Sequence, residues 1–276
     1  MITLLLVLQV LLVVTGGAVR VTGSGLGCPT WPECTEGSYK PVPGQAEGQL
    51  HAWIEFGNRL LTFALILAAL AVVILVLRRR RRDLYLLALG QVFGILGQGI
   101  LGGITVLTQL NPIPVAGHLL LSMVLICGAT SLHQYRKAPV PQVKTSGITS
   151  HLSRAHLFVT ALVLIVGTVV TGSGPHAGDA DAPRFNFDER VVSWLHADLV
   201  IALLGISLAL WVGSTGISRQ RAAHFLIVAL AQGAIGYIQY LLGLPELIVG
   251  FHLLGAALVM VFAWRLRLTF TRRLES

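Results

Sequence analysis

Three histidines lie inside long apolar stretches, where an ionisable side chain is costly if the stretch spans a membrane. His118, His196 and His252 each fall four to six residues from the start of such a stretch. At about 1.5 Å of rise per helical residue, they lie at nearly one depth. The other six histidines lie near loops or span ends and are predicted to be solvated. A single intramembrane histidine usually packs in a core, but three at matched depth favour a shared chemical task.

Imidazole is a common axial ligand of haem iron, and two histidines on facing helices can hold one haem. His196 and His252 form such a pair late in the chain. Early in the chain, His118 corresponds to His252, and at equal depth Asn58 stands where His196 would be matched. The residues therefore predict one site with two histidines and another with a single histidine.

A second group of candidates shares one helix face. Glu55, Asn58 and Arg59 occupy positions i, i+3 and i+4, which are neighbours on a helix surface. One interpretation is a carboxylate and a guanidinium that line a cofactor pocket together with Asn58. The alternative is an ion pair between Glu55 and Arg59 that reaches toward the membrane surface.

The cysteine pair Cys28 and Cys34 lies in the segment GCPTWPEC, between the first two apolar stretches. On the oxidising outer side of a membrane such thiols can form a lasting disulfide. A redox-active pair is the alternative, and a metal site with only two ligands is disfavoured. The third cysteine, Cys127, lies inside an apolar stretch and is predicted to pack there.

The elements that must position these residues are membrane-spanning helices. Hydrophobic residues make up 54% of the 276 residues and charged residues only 12%, about half the charge of a soluble domain. Eight apolar runs are long enough to cross a bilayer: about 2–19, 53–77, 84–107, 115–134, 156–173, 191–213, 223–243 and 248–265. The first run lacks the basic start and clean cleavage site of a signal peptide, so it is interpreted as a span. We predict an all-α integral membrane protein with eight transmembrane helices.

The positive charges predict how these helices are oriented. Most of the 20 Lys and Arg residues follow even-numbered spans, beginning with Arg78 to Arg82, whereas the acidic residues lie mostly in the other loops. Both termini are therefore predicted to be cytoplasmic, in a multi-pass protein of the cell membrane. The net charge of +8 is a topology signal. Because the basic residues are divided among short segments, no nucleic acid is expected as a partner.

The chain also contains an internal repeat. Three features occur twice: VTGSG at 21–25 and 170–174, a glutamine–glycine motif at Gln98–Gly102 and Gln232–Gly236, and the histidines His118 and His252. The last two features share one offset of 134 residues. We predict two tandem four-helix bundles, residues 1–138 and 155–276, related by a pseudo-twofold axis along the membrane normal. Transporters also use parallel repeats, so the duplication alone identifies no function.

With these features together, the sequence resembles the haem A synthase family. The resemblance covers essentially the whole chain and rests on segments that are specific in combination: GGAVRVTGSGLGC (16–28), the cysteine pair, IEFGNR (54–59), AGHLLL (116–121), WLHADL (194–199) and GFHLLGA (250–256). It implies an oxidoreductase that converts haem O to haem A for cytochrome oxidase. One ring methyl group would be oxidised to a formyl group with molecular oxygen.

The resemblance also implies roles for particular residues. These are haem b ligation by His196 and His252, a substrate haem site with His118, an essential glutamate at Glu55, and a disulfide between Cys28 and Cys34. Haem O, haem A and membrane lipid are the implied small-molecule partners. Haem O synthase and oxidase assembly factors are the implied protein partners, and no motif identifies the electron donor.

One position departs from the family pattern. The family motif E-x-x-H-R is E-x-x-N-R here, with Asn58 in place of a histidine, and an amide is a poor iron ligand. Substrate haem could be held by His118 alone, which leaves one iron position open for oxygen. His51 could replace the missing ligand, although it lies about 10 Å higher on the helix. The third account is a protein that has lost activity and keeps only haem b. We favour the first account.

Three functions from other classes compete with the synthase. A di-haem electron-transfer cytochrome would need two bis-histidine sites, which Asn58 disfavours. A transporter would have interrupted helices with polar groups near mid-membrane, whereas the polar residues here cluster toward the outer face. A non-catalytic assembly factor for cytochrome oxidase is distinguished only by its lack of activity.

Overall fold

The structure is a computed structural model that describes residues 1–45, 47–138 and 147–270. These residues form eight α-helices: α1 (Ile2–Val21), α2 (Gln49–Arg78), α3 (Tyr85–Leu107), α4 (Pro112–Tyr135), α5 (Gly147–Ser173), α6 (Glu189–Val212), α7 (Gly216–Leu241) and α8 (Glu246–Thr269). Each is long and apolar enough to cross a membrane. The predicted all-α, multi-pass membrane fold is therefore confirmed. Which side faces the cytoplasm stays a prediction.

Several helices extend beyond the predicted apolar runs. α2 begins at Gln49 rather than near 53, α5 at Gly147 rather than near 156, and α7 at Gly216 rather than near 223. The added turns carry polar residues such as His151 and Arg219. These turns extend past the apolar run, where water can solvate their charges, so hydropathy alone places the boundary too late.

Helix packing follows the same plan in α1–α4, called here the first half, and in α5–α8, the second half. Consecutive helices pack together in each half, and the first helix of each half also packs against the fourth. Each half has its own buried apolar cluster. A third cluster joins the halves, with Val13 of α1, Ile126 and Cys127 of α4, and Met260 of α8. Cys127 therefore packs as predicted, whereas the pseudo-twofold axis stays a prediction.

Polar side chains also connect the helices inside the bundle. Gln9 of α1 donates to the side-chain oxygen of Gln91 at 3.0 Å, and Gln91 donates to the backbone carbonyl of Leu125 at 3.0 Å. These bonds join α1, α3 and α4 where water is scarce, and such bonds stabilise helix association in membranes by about 0.6 kcal/mol each. His156 was predicted to be solvated, which is wrong. Its side chain is 1% exposed and packs edge-on against Phe225.

The ends of α1, α3, α5 and α7 meet the starts of the following helices at one end of the bundle, called here the outer end. Two polar caps fix helix starts there. Asn111 accepts a hydrogen bond from the backbone nitrogen of Ile113 at 3.0 Å, and Asp188 accepts one from Val191 at 3.0 Å. Such caps satisfy donors that the helix leaves free. They define where α4 and α6 begin, and therefore the depth of His118 and His196.

Candidate functional site

A cavity of about 760 Å³ lies among the four helices of the first half. This volume is in the range of about 300–1,000 Å³ that is usual for small-molecule and cofactor sites. Its lining is mainly apolar, with a few polar groups. Four predicted site residues are among the lining residues: Glu55, Asn58, Arg59 and His118. The structure therefore brings candidate site residues of α2 and of α4 into one cavity, although they are separated by some 60 residues in sequence.

His118 is positioned by two residues of α3. Gln98 donates to the backbone carbonyl of His118 at 3.1 Å and to the Ser122 hydroxyl at 2.6 Å. Gly102, one turn further along α3, faces the imidazole. A Cβ at Gly102 would lie 3.1 Å from Nε2 of His118. The absence of a side chain at this position therefore gives the ring its room.

The same arrangement recurs in the second half. Gln232 of α7 donates to the backbone carbonyl of His252 at 2.8 Å, and a Cβ at Gly236 would lie 3.2 Å from Cε1 of His252. The repeated glutamine–glycine motif is thus a device that holds a histidine on the next helix. His196 of α6 also faces a glycine, Gly167 of α5, where a Cβ would lie 3.1 Å from Cε1 of His196.

His196 and His252 face each other across the second half. Their ring centroids are 6.5 Å apart and the ring planes are inclined by 64°. A first-row metal binds imidazole nitrogen at about 2 Å, so two imidazoles on opposite sides of one iron have centroids about 6 Å apart. The separation and the two-nitrogen donor set therefore fit a bis-histidine haem.

Asn58 is held by a neighbour on α1. The Thr15 hydroxyl donates to the side-chain oxygen of Asn58 at 2.7 Å, and Asn58 lines the cavity. His51, the possible replacement ligand, instead shares a hydrogen bond of 2.9 Å with Ser24. His51 is absent from the described residues that line the cavity.

Glu55 and Arg59 form a partly buried ion pair at the cavity wall. Arg59 Nη2 lies 2.6 Å from Glu55 Oε1, and the Cys28 backbone nitrogen donates to Glu55 Oε2 at 2.6 Å. Glu55 is only 5% exposed. Arg59 also donates to the carbonyls of Cys28, Thr30 and Glu33 at 2.9–3.2 Å. The pair turns inward and holds the loop that precedes α2, so it does not reach out toward the membrane surface.

That loop is closed by the predicted disulfide. Cys28 and Cys34 are bonded, with an S–S distance of 2.00 Å, and both residues are fully buried. Trp31 and Pro32, between the two cysteines, line the cavity. The segment 28–34, called here the cap loop, therefore covers the cavity and is fastened to α2 by Glu55 and Arg59.

The second half also touches this cavity. Leu253, the residue after His252, is among the lining residues. Its side chain fills the space beside Gly17 of α1, which a Cβ there would occupy. Leu253 of α8, together with Thr168 and Thr171 of α5, therefore forms part of the cavity wall.

Arg20, at the end of α1, also lines the cavity, although its sequence context did not identify it as a site residue. It donates to the backbone carbonyls of Thr171 and His176. Its position is unusual, because most arginines in this chain lie at the predicted cytoplasmic ends of the spans, whereas Arg20 lies at the outer end. Nothing in the local pattern showed that it would face the cavity.

Comparison with known proteins supports the family that the sequence resembles. Residues 1–186 match the COX15-CtaA family, described as "Cytochrome oxidase assembly protein". A heme A synthase of Geobacillus thermodenitrificans is 32% identical over 110 residues, which is 39% of this chain and 32% of that protein. A heme A synthase of Shewanella oneidensis is 30% identical over 185 residues, 60% of this chain and 53% of that protein. The chain thus spans about a third to a half of the length of these relatives.

Proposed function

The chain belongs to the COX15-CtaA family of cytochrome oxidase assembly proteins, and on that premise we propose that it is a haem A synthase of the cell membrane. The observation that carries the proposal is the first-half cavity, which unites His118, Asn58, Glu55 and Arg59. An apolar cavity with one histidine suits a substrate that is itself a haem. The substrate is haem O, and the product is haem A.

The reaction changes one ring methyl group to a formyl group in two hydroxylations. Each hydroxylation inserts one atom of molecular oxygen and reduces the other to water, using two electrons and two protons. The resulting geminal diol loses water to give the formyl group. The electrons come from a donor outside the described residues, and the protein's own task is orientation, exclusion of water and proton delivery.

His118 is the proposed axial ligand of the substrate. Asn58, whose amide oxygen already accepts the Thr15 hydroxyl, leaves the opposite face without a histidine. A haem with two axial histidines has no free iron position, whereas one histidine leaves a face open to oxygen. The substitution that departs from the family motif is therefore compatible with oxidation chemistry in this half.

In the second half, His196 and His252 are the proposed ligands of haem b. When bound, haem b supplies a one-electron redox centre beside the substrate. Gln232 and Gly236 hold His252 in place, and Gly167 gives space to His196. Residues 1–138 would then form the substrate half and residues 155–276 the haem b half.

Glu55 is the proposed catalytic carboxylate, and its contacts support a positioning role. Both carboxylate oxygens are engaged, one by Arg59 and one by the Cys28 backbone. The carboxylate therefore keeps the cap loop over the cavity and limits the entry of water. Its place in the cavity wall also lets it hydrogen-bond the substrate or pass a proton to it.

The proposal is tested by haem extraction and pyridine-haemochrome analysis of the protein purified from cells that make haem O. The expected result is haem B together with haem A or a hydroxylated intermediate. Cells that make haem O but lack this chain are the matched control and should contain no haem A. Haem B alone in the purified protein would contradict the synthase and favour an electron-transfer cytochrome or a non-catalytic assembly factor.

A further inference from the structure

The feature that carries a further inference is the guanidinium of Arg20. It stands at the last turn of α1, is partly buried and lines the first-half cavity. Nη2 donates to the Thr171 carbonyl at 2.8 Å, and Nε donates to the His176 carbonyl. None of the hydrogen bonds among the described residues uses Nη1. The side chain is therefore held at Nη2 and Nε, while Nη1 remains able to bind a ligand in the cavity.

Arg20 has no acidic partner in the described part of the chain. The ion pairs formed there are Glu55 with Arg59 and Asp83 with Arg81. A second guanidinium, Arg184, lies near enough to Arg20 to add to the positive potential. A buried cation without a counter-ion is costly, and an anionic ligand would remove that cost.

Two other arginines, Arg59 and Arg221, show that this arrangement is specific to Arg20 among the three. Arg59 is neutralised by Glu55. Arg221 also lacks an acidic partner among the described residues, but its Nη atoms bond the Arg265 carbonyl, the Thr269 hydroxyl and the Gln134 side chain. Arg20 alone of the three combines a cavity position, an unneutralised charge and a terminal nitrogen that no described group accepts.

The depth of Arg20 defines what could bind it. Arg20 is one residue from the outer end of α1, and His118 is six residues into α4 from the same end. Arg20 therefore lies several ångströms nearer to the outer end, about 1.5 Å for each residue of difference. A haem carries its two propionate carboxylates at one edge of the ring, while the rest of its rim is apolar.

We propose that Arg20 binds a propionate carboxylate of the substrate haem, an inference that rests on the proposed function of the first half. Arginine matches a carboxylate in geometry and charge, and its backbone bonds hold it ready before the ligand arrives. The carboxylate edge then points to the outer end and the isoprenoid tail toward the apolar interior. With one edge fixed and the iron on His118, the ring has a defined orientation, so one methyl group is presented for oxidation.

The test compares haem O with its dimethyl ester, in which both carboxylates are neutral. Each compound is titrated into purified protein from cells lacking haem O, and binding is followed by difference absorption spectroscopy. A charge-assisted hydrogen bond corresponds to about 10- to 100-fold in affinity. The wild type should bind haem O more tightly than the ester by this factor, and this comparison needs no mutation.

Variants then assign the preference to Arg20. Arg20→Gln should bind both compounds with the weak affinity of the ester, and Arg20→Lys should restore part of the preference. Arg190→Gln, an exposed arginine stacked on Trp194, is the matched control and should behave as the wild type. Haem b content and thermal stability report whether each variant is folded.

Two outcomes would overturn the inference while leaving the proposed function intact. One is a wild type that binds both compounds equally and still forms haem A. The other is an Arg20→Gln variant that loses equal affinity for both, which would show only a structural role for the bonds to α5 and its loop. A wild type that neither binds nor converts haem O overturns the proposed function itself.

Discussion

The two halves of the molecule position a histidine in the same way. In both, a glutamine on the third helix holds the backbone of a histidine on the fourth, and a glycine one turn away gives the ring its space. The halves differ at the second helix, where the first half has Asn58 and the second has His196. They differ again at the outer end, where the cap loop covers the first half. In this chain, the two proposed haem sites therefore differ by one histidine on the second helix and by the loop that covers the first half.

The strongest test of a difference in task between the halves is to remove one histidine from each half. His252→Ala should remove most of the haem b, because a bis-histidine site with one ligand left binds iron far more weakly. His118→Ala should keep haem b and abolish haem A formation, a loss of about 100-fold or more. Haem extraction and visible spectra of both variants measure the two effects. Equal loss of haem b in both would contradict the division of labour.

Restoring the missing ligand should make the first half resemble the second. In Asn58→His, a second imidazole would occupy the face left open for oxygen. We expect a low-spin spectrum from bound haem O and haem A formation reduced by about 10-fold or more. Electron paramagnetic resonance and haem extraction are the measurements, and Asn58→Gln is the control. Increased haem A formation in Asn58→His would show that this protein needs a second histidine after all.

Loosening the cap loop should impair only the first half, so haem A formation should fall while haem b content stays the same. Glu55→Gln leaves Arg59 without its carboxylate and weakens the hold on the Cys28 backbone, because an amide oxygen carries no charge. We expect haem A formation to fall by about 10-fold, with haem O accumulating and haem b unchanged. Glu246→Gln, at the start of α8 and away from the cavity, is the matched control. Loss of haem b in Glu55→Gln would show that the loop supports the whole bundle.

The smallest effects are expected from the glycines that face the histidines. An alanine at Gly102 or Gly236 would place a methyl group 3.1 or 3.2 Å from the neighbouring ring, which must then shift by a few tenths of an ångström. Gly102→Ala should weaken haem O binding about 2- to 5-fold, and Gly236→Ala should change the haem b spectrum. Gly90→Ala, on α3 but outside the cavity lining and with nothing within 4 Å of its Cβ, should be neutral. Identical effects of Gly102→Ala and Gly236→Ala on both haems would contradict separate sites.

The sequence allowed the helices, the matched histidines and the cysteine pair to be predicted, because these follow from periodicity, depth and spacing. The i, i+4 spacing of Glu55 and Arg59 placed both on one helix face and left open whether they line a pocket or pair at the surface; in the structure they pair and also line the cavity. The sequence could not predict that the pair holds Cys28, 27 residues away from Glu55. Nor could it place Arg20, whose partner Thr171 lies 151 residues further along the chain. Contacts of this range depend on how the halves pack, which no local pattern contains.

The position of helix ends and the burial of His156 were missed for a related reason. Hydropathy reports where apolar side chains begin, whereas a helix continues until its backbone finds a terminating turn or loop. His156 is near a span end in sequence, yet α7 places Phe225 against it. Distance from a loop is therefore a weak guide to exposure when neighbouring helices are long.

The contact of Leu253 with Gly17 restricts how the two halves can change independently. The leucine side chain occupies the volume that any larger residue at position 17 would need. A larger residue at position 17 therefore requires the Leu253 side chain to move or to be replaced by a smaller one, although the two positions lie in different halves. The two halves can acquire separate tasks, but we expect positions 17 and 253 to change together. Exchanging one half for that of a distant relative should succeed more often when the other half also carries that relative's residue at this contact.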